Sequence, residues 1–504
     1  MKTIHWKEGL VGSIDAAGAI AAGGRNVGLA FAPVSAAIPF GAAGASSLAI
    51  GGTDSIPNTG ATLTTLASFK GADGKNPQGS LIADAAGDLF GTTAFGGANG
   101  DGTVFEIVKT AGGYASAPRI LASFTGADGA YPQCSLTIDA AGNLLGTTPN
   151  GGANDDGTVF ELAKTRHGYA SVPTALISFT GADGVNPQGG LTADAAGNLF
   201  GVTESGGANG DGTVFEVIKT PHGYASAPTV LASFTGANGQ SPLGSLITDA
   251  AGDLFGTTSL GGADGDGTVF EIVKTKHGYA SAPTTLVSFT GANGSFPQCT
   301  LIADAAGDLF GTTNRGGSNT DGEVFEIEKT VRGYAKTPKI LAYFTGANGR
   351  YPEGSLIIDA AGDLFGRTIS VGTHNGGTVF EIVKTGAGYA KAPTTLINFT
   401  LAGGGWPTGG LIADAAGNLL GTTEIGGSSG DGSVFQIANS GYVPTTSPVG
   451  VAGADAAGST SQVSAFVQAM AATAGRGVAT GPISAAANAE VRAPVLLAPR
   501  GAIG

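Results

Sequence analysis

Between residues 62 and 442, short apolar runs alternate with turns rich in Gly, Asp, Asn and Pro, and this alternation repeats along the chain. The stretch "GGANGDGTVFE" at 96–106 contains both halves, a glycine- and aspartate-rich loop followed by a run rich in β-branched and aromatic residues. The Phe of this motif falls at Phe105, Phe160, Phe215, Phe270, Phe325, Phe380 and Phe435, each 55 residues after the last. The Asp of "DAAG" keeps the same step from Asp84 to Asp414, and the Phe of "SF" keeps it from Phe69 to Phe399. Seven copies at one fixed period mark a repeat architecture, in which stacked neighbours bury the face that a single unit leaves open.

Each unit holds four strand-like runs separated by turn residues. In the first unit these are 80–83, 89–93, 103–109 and 119–124. Four antiparallel strands per unit, seven times over, predict an all-β, seven-bladed β-propeller. The ends agree with a closed ring. Residues 62–69 read as the fourth strand of a unit whose first three are missing, and the last unit, 410–438, lacks its fourth. The two fragments complete one blade if 62–69 pairs with 433–438, and closure removes an exposed sheet edge. An open β-solenoid is the rival, but it has no need of a split unit.

Composition narrows the picture. The chain has 504 residues, 42% of them hydrophobic and 12% charged, which suits a large core and not a disordered chain. The 89 glycines, without a triplet period, fit many tight turns. A net charge of −14 repels phosphate backbones, so no nucleic-acid partner is expected. No run of 18 strongly apolar residues is present, so no transmembrane segment is expected. The N-terminus carries Lys2 and Lys7, but Asp15 interrupts its apolar run and no clean cleavage site follows.

The units resemble the Gloeo/Verruco (GloVer) tandem repeat of bacterial proteins. The matching residues are "DAAGNLFGTT", "GGANGDGTVFE" and "LASFTGADG…P", across all seven units from 62 to 442. The resemblance implies an extracellular or cell-surface β-propeller and no settled activity. The C-terminus departs from the pattern by lacking a clear anchor motif.

Comparison of the seven units separates constant positions, which serve the fold, from variable ones, which are free to specialise. The loop entering each unit and the loop between its second and third strands share one face; the "DAAG" and "KTxxGYA" turns share the other. The "DAAG" aspartates are expected to cap their own turns. The loop aspartates Asp101, Asp156, Asp211, Asp266, Asp321 and Asp431 are expected to stitch their loop to backbone amides, with calcium as a second reading. The sixth unit has Gly376 there.

Before the loop proline the residue runs Asn76, Tyr131, Asn186, Ser241, Phe296, Tyr351, Trp406. The aromatics Tyr131, Phe296, Tyr351 and Trp406 are expected to ring the channel mouth, where they either stack on sugar rings and protein partners or pack onto neighbouring loops. After "GTT" the chain also varies, and Glu204, Asn314, Arg315 and Glu424 are candidate ligand contacts, with Arg367 standing out nearby. Glu204 and Glu424 could face each other across the mouth; such a pair could serve acid–base chemistry on a glycosidic bond, although rim charges need no such role. His167, His222 and His277 share an outer turn position and read as exposed. Cys134 and Cys299 lie three units apart, too far for a disulfide. "GGSSG" at 426–430 lies inside a turn and lacks the strand–turn–helix context of a nucleophile elbow.

The flanks, 1–60 and 443–504, are rich in Ala, Gly and Ser and read as weakly ordered, the first with a possible export role. At 461–473, Val463, Phe466, Val467 and Met470 form an amphipathic helical stripe. The chain is expected to be a monomeric, non-enzymatic, exported or surface propeller at 61–442 that binds glycan or protein ligands on its variable-loop face. The alternatives are a glycosidase- or lyase-like enzyme and a calcium-stabilised spacer.

Overall fold

The computed structural model describes residues 60–444, and in them the chain is all-β, with no helix. The amphipathic stripe at 461–473 lies outside the described residues. Seven small antiparallel sheets follow one another along the sequence, one per repeat, as a seven-bladed β-propeller. Blade 1 consists of Ile82–Ala83, Leu89–Thr93, Thr103–Ile107 and Arg119–Ser123, in that spatial order from the axis outwards. Leu89 lies opposite Ile107, and Thr103 lies opposite Ser123.

The ring closes through the split blade. Thr62–Ser68 pairs antiparallel with Ser433–Ala438, Thr62 opposite Ala438 and Ser68 opposite Ser433, with a bulge between Thr65 and Ala67. The seventh blade is therefore built from both ends of the repeat region.

The apolar pattern explains how the blades adhere. The Phe that ends one blade's fourth strand meets, edge to face, the Phe in the third strand of the next blade. The ring centroids are 4.9 Å apart for Phe69–Phe105 and 5.0 Å for Phe399–Phe435, and all seven seams carry such a pair. Edge-on aromatic pairs contribute about 0.5–1.5 kcal/mol beyond their buried area, so the repeated "SF" and "VFE" motifs are the glue of the seams. A polar latch accompanies them. The Thr92 hydroxyl donates to the Cys134 carbonyl of the next blade at 3.0 Å, and Thr147 and Thr257 do the same to Gly189 and Cys299.

The turns behave as their residues dictate. Asp84 Oδ1 accepts the N–H groups of Ala86 and Asp88, and all seven "DAAG" aspartates repeat this cap. Two sequence expectations need adjustment. The innermost strand is only two residues long in each blade; in the first, residues 80 and 81 lie outside the ladder, and the Ser80 N–H donates instead to Ser135 Oγ of the next blade at 3.2 Å. The "KTxxGYA" turn is itself a two-stranded ribbon, such as Lys109–Thr110 with Gly113–Tyr114. Both cysteines are buried and free, and His167, His222 and His277 are exposed, as expected. No described helix is long and apolar enough to cross a membrane.

Candidate functional site

The loop face is held together by backbone. The N–H of Tyr131 donates to the carbonyl of Asp101 in the preceding blade at 2.9 Å, and five further blades repeat this bond. The main-chain carbonyls of the loop aspartates, and not the side chains expected to do so, thus stitch neighbouring blades. Two of their carboxylates instead pair with cations, Asp431 with Lys75 at 3.6 Å and Asp321 with Arg350. The glycine after each aspartate fits against the next blade: a Cβ at Gly102 (φ +96°) would meet Pro132 Cδ at 2.6 Å and also the Thr93 carbonyl.

That arrangement fixes the variable position before each proline. All seven residues there, from Asn76 to Trp406, have φ between 53° and 59°. A left-handed conformation is costly for any side chain with a Cβ and is unusual before proline. It recurs whatever the side chain, so the surrounding fold imposes it.

The same turn decides which side chains reach the axis. The aromatics do not line the channel; this corrects the expectation that they ring its mouth. They are half-buried among loop residues. Tyr131 packs on Phe95, centroids 5.1 Å apart. Tyr351 lies under two guanidinium groups, Arg315 at 5.3 Å and Arg350 at 5.4 Å. Phe296 donates its N–H to the Asp266 carbonyl, and its own carbonyl accepts from Asn314 N–H at 3.1 Å. Trp406 sits in the short strand Gly405–Pro407.

The channel is lined instead by the residues just after each proline. Gln78, Gln133, Gln188 and Gln298, with Leu243, Glu353 and Thr408, surround a cavity of about 310 Å³. Below them a ring of small residues, among them Ser80, Ser135, Ser245 and Thr300, forms a floor shared with a narrower throat of about 40 Å³, which Leu81, Leu301 and Leu356 help to line. The cavity is thus a polar cup above an apolar constriction.

One sector of the cup breaks the sevenfold pattern. Arg367 occupies the position held by threonine in five other blades and by Val202 in one. Its Nε donates to the Gly409 carbonyl at 2.8 Å, which preserves the latch between blades. Arg367 is 3% exposed, and its Nη1 has no hydrogen-bond partner in the protein. Glu353 replaces a ring glutamine, and Glu424 accepts from Asn76 Nδ2 at 3.1 Å. Burial lowers the Arg367 pKa to about 10, against the pull of Glu353 and Glu424. Burial also raises the Glu353 pKa; Arg367 opposes this and Glu424 adds to it.

Glu204 and Glu424, which could have faced each other across the mouth, are placed differently. Glu204 accepts from Gln188 of its own blade and does not line the cavity, whereas Glu424 does. Glu353 escaped sequence reasoning because "PEG" differs from "PQG" by a near-isosteric exchange. Comparison of the residue after each loop proline exposes it, as comparison around "GTT" exposes Arg367. Among the described residues, no three His, Cys, Asp or Glu side chains are grouped so as to hold a metal ion.

A family model described as the Gloeobacter/Verrucomicrobia repeat matches residues 50–215 and 171–337. No curated protein matches the chain significantly. Among solved structures, the periplasmic gluconolactonase of Pseudomonas aeruginosa is similar at 16% identity and a TM-score of 0.44, over 73% of this chain and 97% of that one. A Bacteroides uniformis protein assigned as a 6-phosphogluconolactonase is similar at 12% identity and a TM-score of 0.45, over 65% of this chain and 86% of that one. Neither likeness carries an activity over to this chain.

Proposed function

We propose that this chain, which belongs to the Gloeobacter/Verrucomicrobia repeat family, is an exported or surface β-propeller that binds glycan on its loop face. The observation that supports this reading is the concentration of departures from the repeat in one sector. Arg315, Tyr351, Glu353, Arg367, Trp406 and Glu424 all belong to the last three blades, beside a polar cup of about 310 Å³. A cavity of this size with a few converging polar groups is the usual form of a small-ligand site. Tyr351 and Trp406 add half-buried aromatic faces to the loops around it, the kind of surface that stacks on sugar rings.

A glycan-array screen of the full chain tests the reading. Binding is expected, and the double variant Tyr351→Ala/Trp406→Ala should weaken it by about tenfold, the loss of one to two kcal/mol of stacking. Absence of binding by the wild type, with retention of a protein partner from its surroundings, would replace the glycan with a protein ligand.

A further inference from the structure

Within that reading, which this inference deepens, the unpartnered atom in the cup identifies the kind of group it takes. Arg367 lines the cavity, and its Nη1 is a buried donor without an acceptor in the protein. A buried donor left unpaired is costly, so the fit ligand brings an acceptor to it. The carboxyl groups of Glu353 and Glu424 also line the cup, and Glu424, already bonded to Asn76, keeps further lone pairs for a donor. A ligand group that accepts from the guanidinium and donates to a carboxylate would engage both.

Charge narrows the choice. Arg367 faces two carboxyl groups, inside a chain of net charge −14. A further anion is disfavoured there. An ammonium group answers the carboxylates but offers Arg367 nothing, since it has no acceptor. A hydroxyl donates and accepts at once, and two on adjacent carbons can bridge the guanidinium and a carboxylate. The glutamine amides and the serine floor extend the same alternation around the cup.

We infer that the cup seats the end of an uncharged saccharide, with a vicinal diol bridging Arg367 to Glu424 or Glu353.

The repeat itself supplies variants that should still fold. Arg367→Thr restores the residue of five other blades, Glu353→Gln restores the ring glutamine, and Glu424→Ala restores the residue of the first blade, Ala94. Cellobiose, maltose, glucuronic acid and glucosamine are titrated into the full chain by calorimetry, with circular dichroism confirming the fold of each variant. The expected result is binding of a neutral disaccharide that Arg367→Thr weakens by about tenfold or more, the effect of losing a charge-assisted hydrogen bond. Binding of glucuronic acid or glucosamine alone would overturn the uncharged-diol assignment and leave the glycan reading standing. Neutral-sugar binding that survives Arg367→Thr but is lost in Tyr351→Ala/Trp406→Ala would move the sugar out of the cup onto the loop aromatics, and would also overturn the inference. Failure of all four probes, together with a blank glycan array, would remove both readings.

Discussion

A chain lacking residues 62–68 is expected to lose its discrete particle and to elute as large, polydisperse species in size-exclusion chromatography with light scattering. The strand supplies the fourth strand of the seventh blade, and its removal leaves the outer edge of Ser433–Ala438 unpaired. An unpaired, β-branched edge recruits other chains. The loss reaches the core as well. Ala67 is buried in the cluster that joins the seventh blade to the first, where the adjoining Phe69 packs on Phe105, and Leu63 packs against the neighbouring cluster. Fully burying a side chain of the size of Leu contributes about 1.5–3 kcal/mol, and the Phe pair would lose the strand that positions it. A synthetic peptide spanning 61–70 added in trans should return part of the material to the wild-type elution volume. A deletion variant that remains monodisperse, with an unchanged melting temperature, would show that the ring does not depend on this strand.

The second large effect is a gain in stability. In six blades a threonine or serine opens the third strand and meets a threonine of the second strand across the pair; Thr93 and Thr103 are 2.8 Å apart through their hydroxyl oxygens. In the fifth blade this position is Glu323, fully buried, with neither carboxylate oxygen hydrogen-bonded, and Thr313 opposite it is also unpartnered. Burial alone raises the Glu323 pKa to about 7. The folded pKa therefore exceeds the unfolded one. Below the unfolded value, near 4.5, both states hold the proton and the carboxyl costs nothing extra by ionisation. As pH rises towards 7 the unfolded chain ionises first, and the native state loses stability relative to it. Above 7 the loss levels off at roughly 3 kcal/mol, from 1.36 kcal/mol per pKa unit. Glu323→Thr removes this cost and restores the hydroxyl pair. The variant should be more stable than the wild type by about 4 kcal/mol at pH 8, the ionisation cost and the hydroxyl pair together, and by about 1 kcal/mol at pH 4, the pair alone. Urea denaturation at both pH values measures the difference, which also cancels contributions from the other raised carboxyls, such as Glu271 and Glu381. An advantage equal at both pH values would contradict the assigned titration.

Much of the architecture is legible in the sequence because the repeat makes seven measurements of each position. The spacing of the phenylalanines gives the blade count, and the orphan strand before Phe69 gives the closure. The capping aspartates follow from their place two and four residues before the amides they accept. The site is harder to read, for two physical reasons. The left-handed residue before each proline directs its side chain into the loops, so the conspicuous aromatics leave the axis while the plainer residue two positions later reaches the channel. Arg367 conceals its role by keeping the latch that the threonines make, so that one substitution serves both the seam and the cup. Glu204 and Glu424 show the converse. They share a repeat position, yet only Glu424 lines the cavity, while Glu204 accepts from Gln188.

The most direct test is diffraction from crystals of the full chain soaked in the best-binding saccharide. The account predicts a sugar ring in the cup, with adjacent hydroxyls within hydrogen-bonding distance of Arg367 Nη1 and of Glu424 or Glu353. Saccharide density seated on the "DAAG" face, or an empty cup at saturating ligand, would contradict it.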